Sequence, residues 1–273
     1  MIVFPNCKIN LGLRILRKRN DGYHDLETVF YPLPFYDVLE IIRSDTVTSF
    51  TSTGLSIDAA SKDNLCIKAY DLLKKDFPEL PGVKIHLHKI IPTGAGLGGG
   101  SADAAFTLSL LNKKFNLNLS TEQLIHYALQ LGSDCPFFII NQPCFAESRG
   151  EIFKKIALDL SDYNLVLVNP GIHVSTAEAF ANIAPTIPGK SIKEIIQQPI
   201  TSWKNELIND FETTVFKKYP GVKNIKEELY NNGAEYASLS GSGSTVYGIF
   251  QKNINLQLSI PEHYFVKQLI SQR

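Results

Sequence analysis

A glycine-rich segment, residues 92–101, runs directly into a helical pattern of apolar residues between Ala102 and Leu110. Five of the seven residues from Gly94 to Gly100 are glycine, which permits positive φ angles and lets the backbone approach a ligand closely. The N-terminus of the following helix adds partial positive charge and N–H groups without helical partners. The segment therefore predicts a polyphosphate site at the start of a helix; a flexible connecting loop is the alternative.

Two common nucleotide-binding signatures are missing from this segment. No Gly-Lys-Ser or Gly-Lys-Thr follows the glycines, so the segment is not a Walker-type P-loop. No convincing strand–helix–strand unit with an acidic residue about 20 positions further on surrounds it, so the dinucleotide fingerprint also fails. Both of these nucleotide-binding classes are thereby excluded.

The charges of the 273-residue chain balance, with 27 Lys plus Arg against 27 Asp plus Glu. A broad nucleic-acid-binding surface usually carries a basic excess, so the balance argues against a nucleic-acid partner. The balance is compatible with an anionic ligand, whose site must then be built locally. The length suggests one large domain or two ordinary ones.

The four cysteines, Cys7, Cys66, Cys135 and Cys144, form no C-x-x-C pair, and no histidine spacing completes a zinc pattern. Few cysteines in a chain of this length are typical of a reduced, cytoplasmic protein. Residues 1–8 lack the pattern of a signal peptide, and no apolar run approaches the length of a membrane span. We therefore expect a soluble cytoplasmic protein with no membrane partner and no metal site built from protein side chains.

Hydrophobic periodicity predicts an α+β fold. Alternation over residues 8–16 indicates a half-buried strand, and residues 20–22, Asn-Asp-Gly, indicate a hairpin turn into a partner strand. Ser120 and Gln123 have the spacing of a capping box for a helix that Gly132 ends. Further strands are predicted over 26–30, 38–42, 83–89, 137–140, 165–168, 236–239, 245–250 and 264–267, and further helices over 64–77, 191–197 and 224–231.

Two segments carry a charged side chain suited to catalysis, and each has an ordinary structural alternative. Lys8 and Asn10 share the non-core face of the first strand, where Lys8 either neutralises ligand charge or is an ordinary exposed lysine. In residues 132–136, Gly-Ser-Asp-Cys-Pro, Asp134 is either a general base for a substrate hydroxyl or a turn and cap residue.

Two further segments are turns. Tyr23 and His24 follow the hairpin turn, where they either stack on and read a nucleobase or pack across the strands. Residues 239–245 are a Ser/Gly run between two predicted strands, which forms either a flexible connection or a tight hairpin facing a ligand.

Three motifs in order, at residues 5–13, 92–105 and 239–245, make the chain resemble the GHMP kinase family, which includes galactokinase, homoserine kinase and mevalonate kinase. The resemblance spans nearly the whole chain, and the central motif is highly specific. It implies an ATP-dependent small-molecule kinase.

Within that family, residues 6–11, 21–24 and 132–136 resemble the members that phosphorylate a cytidine diphosphate ester of methylerythritol, an isoprenoid precursor. The resemblance implies transfer of the γ-phosphoryl group of ATP to the 2-hydroxyl of that ester. Two positions depart from the pattern: Ala102 stands where a second serine is usual, and Ala181 where some relatives have lysine.

The family implies a two-domain fold with the substrate in the cleft. An N-terminal ATP-binding domain, residues 1–155, would be similar to a ribosomal-protein domain, and a C-terminal substrate-binding domain, residues 156–273, would be ferredoxin-like. Residues 149–162 would connect them. The expected partner is the small-molecule acceptor, with no nucleic acid and no membrane, and the expected assembly is a monomer or homodimer.

The resemblance also implies catalytic and nucleotide-binding residues. Asp134 would accept the hydroxyl proton, while Lys8 would pair with Asp134 and help to orient the nucleophile. Mg²⁺ would accompany ATP with few protein ligands, Ser101 and Asp103 being the rival contacts. The ATP site would comprise Asn64 and Lys89 near the adenine and, around the phosphates, Pro92, Gly94, Ala95, Gly96, Leu97, Gly98, Gly99, Gly100 and Ser101.

The acceptor site is implied in the same way. Tyr23 and Phe180 would sandwich the cytosine, and His24 would hydrogen-bond it. The remainder of the acceptor would be contacted by Asn10, Thr176, Gly241 and Ser242.

Two other functions compete with this one. A GHMP kinase of the homoserine or mevalonate type would share the ATP motifs but lack the Tyr23-His24 element in this setting. An RNA-binding module would use the basic run Arg14, Arg17, Lys18 and Arg19. The overall charge balance argues against the RNA-binding module.

Overall fold

The computed structural model describes residues 1–57, 63–181, 183, 185, 189–254 and 256–270. The chain forms two compact units, each assembled from stretches that are distant in sequence. The expected domain boundary at residue 155 divides the chain in sequence order, whereas each compact unit combines stretches that are distant in sequence. The boundary therefore stays a prediction. Unit 1 comprises residues 1–8, 32–93 and 98–142, and unit 2 comprises residues 9–31, 94–97 and 143–273.

The secondary structure is mixed, as the predicted α+β class requires. The strands are β1 (Ile2–Val3), β2 (Asn6–Lys18), β3 (His24–Tyr36), β4 (Val38–Ser44), β5 (Ser49–Gly54), β6 (Gly82–Lys89), β7 (Cys144–Ser148), β8 (Ile152–Lys155), β9 (Tyr163–Asn169), β10 (Tyr236–Leu239), β11 (Val246–Gln251) and β12 (Phe265–Leu269). The helices are α1 (Leu65–Asp76), α2 (Gly99–Phe115), α3 (Thr121–Leu131), α4 (Cys135–Ile140), α5 (Thr176–Ala181), α6 (Ile192–Ile195), α7 (Ile200–Glu206), α8 (Phe211–Lys218) and α9 (Pro220–Asn231).

Unit 1 is built on a sheet of strand order β1-β4-β6-β5, in which β4 and β6 are antiparallel and β5 runs parallel to β6. The alternation predicted for β6 is confirmed, since Ile85 and Leu87 enter the core while His86 and His88 face outwards. The helices α1, α2 and α3 contribute Leu73, Leu108 and other apolar residues to the same core. Lys89 ends β6 and is also buried, which makes it the exception among the charged residues of this strand.

Unit 2 contains an antiparallel sheet of order β10-β11-β9-β12. Counted within this set the order is second, third, first, fourth, the arrangement of a ferredoxin-like sheet, and the predicted class of the C-terminal part is confirmed. Val166, Val246 and Leu229 lie in its core, where α9 packs on the sheet. No helix joins β11 to β12 in the described residues 252–254 and 256–264.

The structure corrects the element predicted over residues 137–140, which is helix α4 and not a strand. Phe137 and Phe138 are buried, and a short buried apolar run has no periodicity that separates a strand from a helix. Pro136 in the first turn favours the helix, because its fixed φ suits that position and its missing N–H is not needed there.

Two further differences concern unit 2. The stretch predicted as a connection, residues 149–162, contains strand β8, which pairs with β7. Helices α7 and α8 were not predicted from the sequence. Both helices are only about two turns long, which is too short for hydrophobic periodicity to predict a helix.

The local end signals of α3 are confirmed. The Ser120 side chain accepts a hydrogen bond from the N–H of Gln123, whose side chain accepts one from the N–H of Ser120. Gly132 is the C-cap residue, and its N–H donates to the carbonyl of Ala128. These interactions join neighbours in sequence, which is why the sequence reveals them.

Candidate active site

Helix α2 begins with backbone N–H groups that face no side-chain cap. Its N-cap is Gly98, at φ +70°, and the first intrahelical bond runs from the N–H of Ala102 to the carbonyl of Gly98. Among the described residues no side chain caps this end, and no acidic side chain lies in its first turn. The N–H groups of residues 99–101 and the positive end of the helix are therefore suited to an anion such as a phosphate.

Packing against two lysines also requires the glycines at the start of α2. A Cβ on Gly98 would lie 2.9 Å from the Phe138 ring and 3.1 Å from Cε of Lys8. A Cβ on Gly99 would lie 2.9 Å from Nζ of Lys89. The glycines thus let two lysine side chains approach the beginning of the helix, which a sequence pattern alone does not show.

The structure brings Lys8 and Asp134 together in unit 1. Their Nζ and Oδ2 atoms are 3.3 Å apart, and the side chain of Lys8 is 3% exposed while that of Asp134 is 36% exposed. Asp134 is the N-cap residue of α4, yet among the described residues its side chain makes no capping hydrogen bond. The carboxylate therefore faces a cation and solvent rather than serving the helix end, which favours the general-base interpretation over the cap.

Lys89 is the centre of a buried group of three charges in unit 1. Its Nζ lies 2.5 Å from Oδ2 of Asp37 and 2.8 Å from Oδ2 of Asp103. Oδ1 of Asp37 accepts hydrogen bonds from the N–H groups of Ile90 and Ile91, whereas Oδ1 of Asp103 has no hydrogen-bond partner among the described residues. Burial raises the pKa of Asp103 to about 7. The ammonium group of Lys89 lowers this pKa, but the carboxylate of Asp37, which shares that ammonium group, raises it.

The cavity beside this group, about 140 Å³ in volume, brings together the residues expected at the adenine. Asn64, Lys89 and Gly100 lie in its wall together with Asp103 and Leu65. Oδ1 of Asn64 caps α1 by accepting a hydrogen bond from the N–H of Cys66 at 2.8 Å. The charge of Lys89 is committed to the two carboxylates, so this residue offers a ligand its aliphatic part and backbone.

Asp103 gives the protein a pH-dependent stability that an asparagine removes. Its pKa in the folded chain is raised from 3.8 to about 7, so its favourable contribution is complete below about pH 4 and is lost as the pH rises through about 7. The free energy of unfolding of Asp103→Asn minus that of the native chain should therefore increase by about 2 kcal/mol when the pH is raised from about 5 to about 8. Lys89 keeps Asp37 as its partner in this variant.

Urea unfolding of both proteins at the two pH values measures this difference. Asp45→Asn, which alters an exposed ion pair with Arg43, is the matched control and should show no such trend. A difference between Asp103→Asn and the native chain that is the same at both pH values would contradict the assignment.

In unit 2, residues 94–97 pack on residues 239–245, the Ser/Gly loop. The hydroxyl of Ser240 donates to the carbonyl of Gly96 at 2.8 Å, and the N–H of Thr245 donates to the carbonyl of Ala95. The N–H of Asn10 donates to Oγ of Ser240, and a Cβ on Gly241 would lie 3.3 Å from Oδ1 of Asn10. The structure thus brings together Asn10, residues 94–97 and the Ser/Gly loop within unit 2.

Two other expected acceptor residues are also paired. The hydroxyls of Thr176 and Ser242 are 3.3 Å apart. Thr176 is the first residue of α5, so its hydroxyl serves a contact with the Ser/Gly loop in addition to its position at the helix start. The side chain of Ala181, where some relatives have lysine, lies outside the described residues.

The aromatic residues expected around a cytosine lie in unit 2 but do not form an open sandwich. His24 stacks on Phe180 with ring centroids 4.7 Å apart and an interplanar angle of 14°. Tyr23 is 54% exposed, and its ring lies under the guanidinium of Arg149, 4.8 Å from the centroid. The face of Phe180 that His24 covers is closed to a base while the two rings are stacked.

Three residues that the structure places at these sites were not predicted from the sequence. Asp37 completes the charge group around Lys89, Arg149 lies on Tyr23, and Nδ1 of His173 lies 3.0 Å from the position of a Cβ on Gly94. None belongs to a motif, and each contacts residues far away in sequence. Only the pairing of strands and loops in the folded chain brings them into view.

The expectation that protein side chains build no metal site stays a prediction. No group of three or more His, Cys, Asp or Glu side chains that could hold a metal ion occurs in the described part of the chain. Burial raises the pKa of the Cys135 thiol, beside the hydroxyl of Ser101, to about 12. An ion carried by phosphate oxygens, with Ser101 as a hydroxyl ligand, fits these residues.

Helices that could cross a bilayer are also missing from the described residues.

Comparisons with known proteins agree with the geometry. The family model described as GHMP kinases N terminal domain matches residues 64–142, and the model described as GHMP kinases C terminal matches residues 191–264. A 4-diphosphocytidyl-2-C-methyl-D-erythritol kinase of Azobacteroides pseudotrichonymphae genomovar. CFP2 is 56% identical over 253 residues, which cover 92% of this chain and 94% of that protein.

Two solved structures resemble this chain in fold but differ in their sequence identity to it. A crystal structure of 4-(cytidine 5'-diphospho)-2C-methyl-D-erythritol kinase matches with a TM-score of 0.79 and 30% identity, covering 91% of this chain and 90% of that one. A homoserine kinase from Cytophaga hutchinsonii matches with a TM-score of 0.67 but only 14% identity, covering 98% of this chain and 94% of that one. The second match shows a shared fold alone.

Proposed function

Because the chain belongs to the family of GHMP kinases, we propose that it transfers the γ-phosphoryl group of ATP to the 2-hydroxyl of 4-diphosphocytidyl-2-C-methyl-D-erythritol. The products are ADP and the 2-phosphate, a step in the formation of isoprenoid precursors. The observation that carries the proposal is the Lys8–Asp134 pair beside the glycine-capped start of α2. The 56% identity to a relative of that name supports the choice of acceptor.

Asp134 acts as the general base for the acceptor hydroxyl. Its carboxylate is 36% exposed, is not used as a helix cap and pairs with Lys8, so it has an oxygen available for a proton. Lys8 is almost fully buried and holds the carboxylate in place. Phosphoryl transfer depends mainly on such positioning and on stabilisation of the charge at the phosphoryl group.

The phosphates of ATP bind at the start of α2. The N–H groups of residues 99–101 and the helix dipole stabilise the negative charge, and the glycines admit the phosphates close to the backbone. The cavity between Asn64 and Lys89 receives the adenine. The hydroxyl of Ser101 would help the phosphates to hold Mg²⁺, and the ion would supply charge neutralisation there.

The acceptor is recognised by residues of unit 2. Tyr23 and Phe180 stack on the cytosine, and His24, which lies beside Phe180, hydrogen-bonds it. Asn10, Thr176, Gly241 and Ser242 contact the polar remainder of the acceptor. The four buried cysteines are free thiols, which supports the reducing cytoplasm as the place where the enzyme works. The proposed assembly is a monomer or homodimer.

An ADP-release assay with a panel of acceptors tests the proposal. The purified chain is supplied with ATP, Mg²⁺ and, in turn, 4-diphosphocytidyl-2-C-methyl-D-erythritol, homoserine and mevalonate. We expect turnover with the cytidyl acceptor to exceed that with either other acceptor by at least about 1,000-fold in kcat/KM, since the smaller acceptors lose the base-stacking energy. Equal or greater turnover with homoserine or mevalonate would assign the chain to the rival kinases, and tight RNA binding without ADP release would favour the RNA-binding alternative.

A further inference from the structure

The tips of two hairpins meet in unit 2. One tip joins β2 to β3 and carries Arg19 and Tyr23, and the other joins β7 to β8 and carries Ser148 and Arg149. Nη1 of Arg19 donates a hydrogen bond to Oγ of Ser148 at 3.2 Å, which ties the two tips together. The tip that carries Tyr23 is therefore held by a neighbouring turn.

The second tip is a tight turn whose shape sets the position of Arg149. Ser148 has φ +65° and Gly150 has φ +95°, so the backbone on both sides of Arg149 lies in the left-handed region. The N–H of Gly150 donates to the carbonyl of Glu147, and the hydroxyl of Ser148 donates to Oε1 of Glu151 at 3.2 Å. A non-glycine residue such as Ser148 adopts this conformation only where its surroundings impose it.

Arg149 uses this position to cover Tyr23. Its guanidinium lies 4.8 Å from the ring centroid, well within the range of about 6 Å for a cation–π contact. The contact of Arg149 with Glu151 is long, 3.4 Å from Nε to Oε1, and Oε2 of Glu151 has no hydrogen-bond partner among the described residues. Among the described residues the guanidinium is therefore not held by a two-pronged ion pair with Glu151, and it lies over the Tyr23 ring.

Tyr23 needs such a contact to keep one orientation. Its backbone is fixed, because its N–H donates to Oδ1 of Asp21 at 3.1 Å, and Asp21 is itself paired with Arg19. Its side chain is 54% exposed at the end of a hairpin, and exposed side chains exchange rotamers rapidly. Arg149 removes that freedom from one side.

We propose that Arg149 is a positioning residue for the acceptor base, which covers one face of Tyr23 and presents the opposite face for stacking on the cytosine. The inference rests on the proposed function. Fixing the ring before the base arrives reduces the entropy lost on binding, so the effect falls on acceptor affinity rather than on the chemical step. The planar guanidinium suits this role better than an ammonium group, because it stacks on an aromatic face.

Steady-state kinetics of Arg149 variants test the proposal on the full chain, with 4-diphosphocytidyl-2-C-methyl-D-erythritol and ATP varied separately. Arg149→Met removes the charge and the planar group while keeping a long side chain. We expect it to raise the acceptor KM about tenfold, with kcat and the KM for ATP changed less than about twofold. Arg149→Lys should give a smaller rise. Arg43→Met, which alters an exposed arginine of unit 1 paired with Asp45, is the control and should leave all three parameters unchanged.

A double-mutant cycle separates positioning of Tyr23 from a direct effect of charge. In a Tyr23→Ala background the proposal predicts no further rise in the acceptor KM on adding Arg149→Met. The same tenfold rise in both backgrounds would show that Arg149 acts through its charge on the diphosphate and would overturn the proposal. An unchanged acceptor KM in the single variants would overturn it as well.

The failure of this inference and the failure of the proposed function give different results. If the native chain does not phosphorylate the cytidyl acceptor at all, the proposed function is wrong. If the native chain does so and the Arg149 variants behave like it, only the positioning role is wrong. Thermal melts of each variant show whether it is folded, and Arg149→Lys keeps the test decisive where Arg149→Met melts early.

Discussion

Asp134→Asn should lower kcat by about 1,000-fold while leaving the affinity for ATP within about twofold of the native value. The amide cannot accept the hydroxyl proton as the carboxylate does, so the loss falls on the chemical step. The side chain does not cap α4, so its replacement leaves that helix end intact. Asparagine also keeps an oxygen that Lys8 can hydrogen-bond, which limits the cost of leaving a buried ammonium without its carboxylate.

Two measurements check this result: kcat from ADP release with saturating acceptor, and the dissociation constant of ATP from calorimetry. Asp45→Asn removes an exposed carboxylate of unit 1 and should retain full turnover. A kcat within tenfold of the native value in Asp134→Asn would overturn the general-base role. A comparable loss of ATP affinity would instead place the residue in the nucleotide site.

Gly96→Ala should lower the free energy of unfolding by about 3 kcal/mol and raise the KM for ATP at least tenfold. Gly96 has φ +79°, and a Cβ on it would lie 2.0 Å from the carbonyl oxygen of Ser240. Because the new Cβ would clash with a backbone atom, either residues 94–97 or the Ser/Gly loop must move. That movement breaks the hydrogen bond from the hydroxyl of Ser240 to the carbonyl of Gly96.

Gly171→Ala separates the clash from the backbone strain. Gly171 has φ +74°, almost the same conformation, but a Cβ on it would meet nothing within 4 Å. We expect it to cost about 1 kcal/mol in denaturant unfolding and to leave the KM for ATP unchanged. Equal losses in the two variants would show that strain alone is responsible and that the close approach of the two loops is not needed.

The features that the sequence predicted correctly depend on local interactions. The α+β class, the alternation of β6 and the cap of α3 all arise from residues a few positions apart. The family was also readable from the sequence, because its motifs are short and contiguous. The roles given to the individual site residues stay predictions, to be decided by the experiments above.

Other features are not decided by local signals in the sequence. Residues 137–140 were expected to form a strand, since an apolar run of this length has no decisive period, and the structure shows helix α4. The family resemblance implied that Lys89 lies near the adenine, and that role stays a prediction. The structure places it beside that cavity but commits its charge to Asp37 and Asp103.

By itself the sequence determined that a glycine segment precedes a helix, that Tyr23 and His24 follow a hairpin turn and that the chain carries no net charge. The family resemblance had implied the pairing of Lys8 with Asp134, which are 3.3 Å apart in the structure. Only the tertiary structure decided that Asp37 joins Lys89 and that Arg149 covers Tyr23. The physical reason is the range of the interactions involved. Turns and caps depend on the dihedral preferences of adjacent residues, whereas ion pairs and ring contacts between distant residues depend on strand register and on which side chains packing leaves buried.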